Sequence, residues 1–184
     1  MSVRKGVTLC FLSIFSVGLA RNWDYSFIAL EETIDKPDIL DINLEMRRLV
    51  KRDYALNGTI TFKKEVGSSL QISCKTYRSP RGNDDYKPMP FILPKLNIKD
   101  FINGVYKEIL MNDVHRCSNA PYFEDEWNEI LKGIYEFNMC KLNFDNWPES
   151  VLPGFYKLVM DTFDGNDERV ASLGIIIEIQ FIGD

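Results

Sequence analysis

The stretch YALNGTITF, residues Tyr54 to Phe62, decides how the middle of this chain folds. Its central dipeptide, Asn57-Gly58, is a strong signal for a two-residue β-hairpin. Asn57-Gly58-Thr59 is also an acceptor sequence for N-glycosylation, provided that the chain is secreted. A third interpretation is that the whole stretch forms one continuous β-strand.

The alternation of side chains favours the continuous strand. In residues 53–63 the larger apolar residues occupy every second position, Gly58 is in step with them, and the positions that follow Leu56 on the other face are polar. A hairpin at Asn57-Gly58 would place Ile60 and Phe62 on the opposite face of the sheet from Tyr54 and Leu56, because side chains alternate strictly along paired strands. We therefore expect one strand with a bend or bulge at Gly58. Asn57 would lie on the polar face, where it could carry a glycan.

The first twenty residues, MSVRKGVTLCFLSIFSVGLA, have the pattern of a secretory signal peptide. Arg4 and Lys5 form a basic start, and the stretch from Val7 to Leu19 carries no charge. Gly18 and Ala20 place small residues at the cleavage site. An uncleaved anchor is the alternative, but this apolar stretch is short for a membrane span, and no later segment is long enough. We expect residues 1–20 to be a signal peptide and residues 21–184 to be one extracellular domain without stable membrane insertion.

The composition indicates a globular domain and argues against nucleic-acid partners. Hydrophobic residues make up 45% of the chain, which argues against disorder. The formal net charge is −5, and loss of the two basic residues of the signal peptide would change it to −7. Such an acidic chain is a poor match for a phosphate backbone. We therefore expect no nucleic-acid partner.

Three cysteines, Cys74, Cys117 and Cys140, remain after the signal peptide. One disulfide and one leftover thiol is the simplest arrangement for an odd number in a secreted chain. We favour Cys117–Cys140, because both cysteines flank the same irregular segment, whereas Cys74 lies on an apolar strand face. A disulfide from Cys74 to one of the other two is the alternative, since sequence alone does not determine connectivity.

One segment changes from strand to helical spacing. The apolar residues from Ile98 to Leu110 recur every third or fourth position, Asn97 is placed as the N-cap, and Asp100 lies in the first turn. This pattern predicts an amphipathic helix that covers a core. A membrane-surface helix is disfavoured, because the polar face mixes acidic and basic residues. A second, short helical turn is predicted from Glu124 to Leu131.

Period-two alternation recurs elsewhere, so strands dominate the predicted fold. It is present near residues 25–29, 42–46, 70–74, 156–160 and 173–181. Six to eight mostly antiparallel strands with one helix predict a mainly β fold, an antiparallel β-cup or sandwich with one amphipathic α-helix. Periodicity does not distinguish side chains that fill a core from side chains that line a cavity.

Catalytic and metal-binding patterns are weak or absent. The chain lacks the nucleophile elbow, the zinc-protease motif and the glycine-rich phosphate loops. His115 is its only histidine, so a serine or cysteine nucleophile would have to use that residue. The cysteines and histidine do not have metal-ligand spacing. We expect no catalytic residue, no metal and no cofactor.

Four segments resemble the secreted fly chemosensory proteins called CheA and CheB. They are RDYALNGTITF (residues 52–62), YRSPRGNDDYKPMP (77–90), MNDVHRCSNAPYF (111–123) and ESVLPGFYKL (149–158). The resemblance extends over most of residues 23–181, and more remotely it includes the ganglioside-activator protein and the lipid-recognition β-cup group. It implies a β-cup that holds an acyl chain or a cuticular hydrocarbon.

The resemblance also implies a site and partners. The expected ligand is a lipid, cuticular hydrocarbon or pheromone, the expected role is chemosensory or gustatory, and a chemosensory receptor or channel is a further expected partner. The alternative is a secreted protein-interaction module or receptor accessory factor with a filled core. The helix at 98–110 is expected to lean over the mouth of the cup. The expected lining residues are Phe27, Leu56, Ile60, Phe62, Ile72, Phe101, Trp127, Tyr156, Leu158, Ile175 and Ile177.

Overall fold

The computed structural model describes residues 22–50, 53–67, 69–129, 131–143 and 151–182, so the predicted signal peptide lies outside the described residues. Eight strands and one helical segment are present in this part of the chain. The strands are β1 (Trp23–Ile34), β2 (Leu40–Val50), β3 (Asp53–Val66), β4 (Gln71–Ser79), β5 (Lys87–Asn97), β6 (Leu131–Cys140), β7 (Gly154–Phe163) and β8 (Arg169–Phe181). The helical segment, residues 98–115, consists of α1 (Ile98–Phe101), a π-helical stretch (Ile102–Leu110) and α2 (Met111–His115).

The strands form two antiparallel sheets. The larger sheet has the order β1-β8-β7-β4-β5, and the smaller sheet has the order β2-β3-β6. Apolar residues of both sheets share the same core clusters, so the inner faces are turned toward each other. The predicted mainly β fold is confirmed as a sandwich of two antiparallel sheets with one helical segment.

The YALNGTITF stretch is part of one strand, as the alternation predicted. β3 runs through Asn57 and Gly58 without a turn and pairs with β2 on one side and β6 on the other. Its register against β6 shifts between Leu56 and Gly58, which is the predicted bulge. Gly58 has a φ of 127°, and a Cβ atom at this position would collide with the backbone carbonyl oxygen of Asn43. Only glycine fits this backbone.

The predicted helix is confirmed and is longer than expected. Its N-cap is Asn97, whose side-chain oxygen accepts a hydrogen bond from the Asp100 backbone N–H at 2.9 Å. The helical segment then continues beyond Leu110 to His115. Its middle is π-helical, and the Met111 N–H reaches the carbonyl of Tyr106, five residues earlier. Within the described ranges no helix is both long enough and apolar enough to cross a membrane.

The second predicted helical turn is wrong. Residues 124–129 are irregular, and Leu131 begins β6. The backbone here bonds to side chains of the helical segment instead of to its own neighbours. Asn103 binds both backbone groups of Trp127, and the Lys107 Nζ donates to the carbonyl oxygens of Glu124 and Asp125. These partners are distant in sequence, so local spacing did not indicate them.

The predicted disulfide, Cys117–Cys140, is confirmed, with 5.3 Å between the two Cα atoms. It links the end of β6 to Cys117, two residues beyond the end of α2. Cys74, the alternative partner, is a free, partly buried thiol on β4. The disulfide therefore attaches the chain that follows the helical segment directly to the smaller sheet.

Candidate ligand-binding cavity

An apolar cavity of about 250 Å³ lies between the two sheets and the helical segment. Strands β2, β3 and β6 supply one wall, β4, β7 and β8 supply the opposite wall, and the helical segment supplies a third. An apolar cavity of ~150 Å³ is enough to hold benzene, and typical small-molecule pockets begin near ~300 Å³. The space is therefore adequate for a compact hydrophobic molecule or a short hydrocarbon chain.

Period-two alternation builds the wall of the smaller sheet. Ile42 on β2 pairs with Ile60 on β3, which pairs in turn with Tyr135 on β6, and all three line the cavity. Leu40 and Phe62 form the next pair between β2 and β3. Side chains directly opposite on paired strands lie on the same face. Each pair therefore adds a row to a continuous apolar surface.

The larger sheet supplies a matching surface. Ile72 on β4 pairs with Thr162 on β7, and Met160 on β7 pairs with Leu173 on β8. All four line the cavity, and so does Ile175, two residues further along β8. The cavity is thus enclosed by opposed rows from the two sheets.

The helical segment lies between the sheets at the cavity, and it does not pack on a closed outer face. Its lining residues include Phe101, Ile102, Tyr106, Leu110 and Val114. Their spacing of one or four residues places them along one side of the helix. The helix therefore borders the cavity, and the expectation that it leans over the mouth of the cup stays a prediction.

The connecting segment, residues 116–129, holds the helix in place and contributes Ala120 and Pro121 to the cavity lining. The Tyr106 hydroxyl donates a hydrogen bond to the carbonyl oxygen of Pro121 at 2.6 Å. The imidazole of His115 stacks on the ring of Tyr122, with 4.3 Å between the ring centroids. Together with the disulfide at Cys117, these contacts tie the connecting segment to the helix at several points.

The lining carries no charged side chain. Its side-chain oxygens are the hydroxyls of Tyr106, Tyr135 and Thr162. Burial raises the pKa of Tyr106 to about 12, and a smaller contribution comes from the neighbouring Tyr135. Burial likewise raises the pKa of Tyr135. The shifts indicate a poorly hydrated environment that disfavours charge.

Six of the eleven residues expected in the lining do line this cavity. They are Leu56, Ile60, Phe62, Ile72, Phe101 and Ile175. Five come from the two sheets and one from the helical segment, so the structure brings together residues that are up to about 120 positions apart in the sequence.

The other five expected residues lie outside the cavity lining. Phe27, Tyr156, Leu158 and Ile177 belong to a second apolar cluster, which surrounds Trp23 and Tyr25. They face inward as expected, but the sheets meet tightly there, and Phe27 and Ile177 are almost fully buried. Trp127 lies in the connecting segment and packs against Phe123, with 5.4 Å between the ring centroids. Trp127 also packs against the core cluster that surrounds the cavity, but it does not line the cavity.

The contributions of β2 and β6 to the wall of the smaller sheet were not predicted. The lining from β2 and β6 includes Ile42, Leu44, Tyr135 and Phe137, none of which was proposed. The alternation along β2 was present in the sequence and could have pointed to Ile42 and Leu44. The helical spacing could likewise have extended the proposal from Phe101 to Tyr106.

The structure does not test three further expectations, which concern glycosylation, metal binding and catalysis. Asn57 lies on the outer face of the smaller sheet, where its side-chain amide approaches Glu45 at 3.4 Å, so its glycosylation stays a prediction. Among the described residues no three His, Cys, Asp or Glu side chains are grouped to hold a metal ion. The expectation that the protein is not an enzyme also stays a prediction.

No protein-family model matches this sequence, and no curated protein matches it. Evidence about function therefore comes from the cavity and from the features of the sequence itself.

Proposed function

We propose that this protein is secreted and carries a hydrophobic ligand in the cavity between its two sheets. The observation that carries the proposal is a space of about 250 Å³ whose lining contains no charged side chain. An empty space of this size forfeits the dispersion contacts that a filled core would make. A bound apolar molecule would restore those contacts and would itself be removed from water.

The expected binding energy is sufficient for a carrier. At ~30 Å³ for a water-sized group, the cavity accommodates about eight methylene-sized groups. Each methylene removed from water contributes about 0.8 kcal/mol, so a chain of that length gains ~6 kcal/mol before the cost of association. Apolar molecules dissolve poorly in an aqueous extracellular fluid, so a protein cavity would keep such a molecule dispersed.

The sequence supports an extracellular setting for this carrier. The first twenty residues have the pattern of a signal peptide, and the Cys117–Cys140 disulfide is typical of oxidising compartments. The resemblance to fly chemosensory proteins points to a lipid, cuticular hydrocarbon or pheromone as the ligand. It also points to a role in taste or contact chemosensing, with a receptor or channel as a further partner. The cavity favours a carrier over the alternative, a protein-interaction module with a filled core.

The test is to purify the chain from a secreting host, extract it with organic solvent and identify the bound lipid by mass spectrometry. Binding is then measured with the apolar fluorescent probe N-phenylnaphthylamine. Ile60→Trp places an indole in the cavity, whereas Ile134→Trp makes the same change at an exposed position on β6. We expect the probe to bind the wild type and the Ile134 variant and to lose affinity for the Ile60 variant. Equal binding to both variants, or no binding to the wild type, would contradict the proposal.

A further inference from the structure

We propose that the cavity selects uncharged ligands, such as hydrocarbons, alcohols or esters, and rejects carboxylates such as fatty-acid anions. This inference rests on the proposed function, because it specifies the chemical class of ligand that the same cavity accepts. Carriers of hydrophobic molecules divide into those that hold a carboxylate with a basic side chain and those that do not. The charges in and around the cavity place this protein in the second group.

The interior offers a carboxylate no compensation for its lost hydration. All lining side chains are apolar except for the hydroxyls of Tyr106, Tyr135 and Thr162. The Tyr106 hydroxyl already donates to the Pro121 carbonyl oxygen. An ionised carboxylate transferred into such surroundings loses its hydration without compensation unless a cation or several donors receive it. An alcohol or ester needs one hydrogen bond at most, and a hydrocarbon needs none.

The lysines that adjoin lining residues in the sequence already have oxygen partners. Five lysines are direct sequence neighbours of lining residues, and each has an oxygen partner within 4 Å. The pairs are Lys63 with Asp41 at 3.7 Å, Lys99 with Glu126 at 3.1 Å, Lys107 with the Glu124 carbonyl at 2.5 Å, Lys132 with Glu65 at 3.3 Å and Lys141 with Asp53 at 2.8 Å. None of these lysines lines the cavity, and recruiting one of them to a carboxylate would break an existing contact.

The net charge of the protein opposes an anion further. The whole chain has a formal net charge of −5. An approaching carboxylate therefore meets a protein of like net charge, whereas an uncharged molecule does not.

The experiment compares two ligands with the same chain length, octanol and octanoate, as competitors of N-phenylnaphthylamine on the full secreted protein. At neutral pH the carboxylic acid is ionised, since such groups titrate near pH 4. We expect octanol to displace the probe at a concentration at least about tenfold lower than octanoate. Octanoate that competes within about threefold of octanol would overturn the inference while leaving the carrier function intact. Failure of the probe itself to bind would overturn the carrier function, and the inference with it.

A pair of variants tests whether the engaged lysines cause the exclusion. Asp53→Asn releases Lys141, which lies between the lining residues Cys140 and Leu142. Asp38→Asn is the matched control, because it removes the same charge and releases Lys64, which is not adjacent to the lining. We expect octanoate affinity to rise several-fold in the Asp53 variant only, with octanol affinity unchanged in both. Octanoate affinity that is equal in the two variants would overturn the role assigned to the paired lysines.

Discussion

Asn103 and Trp127 are joined by both polar groups of one side chain. The Asn103 Oδ1 atom accepts a hydrogen bond from the Trp127 backbone N–H at 2.6 Å, and its Nδ2 donates to the Trp127 carbonyl oxygen at 3.0 Å. The side-chain amide thus pairs with the backbone much as a neighbouring strand would. Because Asn103 lies on the helical segment and Trp127 on the connecting segment, this pair fastens the two layers that close one side of the cavity.

We expect Asn103→Ala to loosen the connecting segment and to destabilise the protein by about 1–3 kcal/mol, because the polar groups of Trp127 lose their partner. The free energy of unfolding from urea titration measures the loss, and hydrogen exchange at the Trp127 amide should accelerate. Asn112→Ala is the matched control, because Asn112 lies on the same helical segment and is exposed. Equal stability losses in the two variants would contradict the role given to this pair.

We expect Gly58→Ala to destabilise the protein far more than Gly133→Ala. Both glycines have a positive φ, 127° and 115°, so both alanines carry the ~1–2 kcal/mol cost of a conformation that is unfavourable for an L-residue. Only at Gly58 would the new Cβ also collide with the Asn43 carbonyl, whereas the space at Gly133 is open. Urea titration of both variants measures the difference. Similar losses of unfolding free energy in the two variants would show that β2 and β3 can move apart at Gly58 and accommodate the Cβ atom.

We expect removal of the disulfide by Cys117→Ala with Cys140→Ala to lower the free energy of unfolding by about 3 kcal/mol. The cysteines are 23 positions apart, and closing a loop of that length restricts the unfolded chain by about this amount. A reductant should destabilise the wild type to a similar degree and leave the double variant unchanged. Cys74→Ala keeps the disulfide and is the control. A reductant effect that persists in the double variant would contradict this account.

We expect stability to fall as the pH rises above about 9. Burial, with a smaller contribution from Asp161, raises the pKa of Cys74 from 9.0 to about 11, and burial raises the pKa of Tyr106 from 10.0 to about 12. The folded state holds these protons more tightly than the unfolded state. Their contribution is therefore fully present below the unfolded pKa values and is lost as the pH rises through the folded ones.

Urea titrations at about pH 8 and about pH 10.5 measure this alkaline loss of stability. Tyr106→Phe should reduce the slope of stability against pH, because phenylalanine has no proton to release. Tyr122→Phe, at an exposed position, is the control and should leave the slope unchanged. An unchanged slope in the Tyr106 variant would show that this hydroxyl does not contribute to the alkaline loss.

The candidate site could be predicted in part because inward faces are visible in the sequence. The alternation along β3 assigned Leu56, Ile60 and Phe62 to one face, and all three line the cavity. The same rule assigned Phe27 and Ile177 to inner faces, and both are indeed buried, but in the tightly packed cluster. Period-two spacing indicates which side of a strand is buried. It carries no information about how far away the opposite sheet lies at each point along the strand.

Trp127 shows a different reason for failure. Its spacing with neighbouring apolar residues resembled a helical turn, yet its backbone is held by Asn103, 24 positions earlier in the chain. A side chain that replaces local hydrogen bonds can override weak helical propensity. Because Asn103 is distant in sequence, no short segment around Trp127 contains the residue that determines its backbone structure.

By itself the sequence determined which side of strands such as β2 and β3 is apolar, that the helix begins after the N-cap Asn97, and that β3 has a bulge at Gly58. These features depend on side chains within a few residues of one another, so local chemistry specifies them. Tertiary structure alone decided that the two sheets diverge around the helical segment and leave a cavity of about 250 Å³. The separation of the sheets depends on how the helix, the connecting segment and the disulfide pack together, and each of these contacts joins residues that are far apart along the chain.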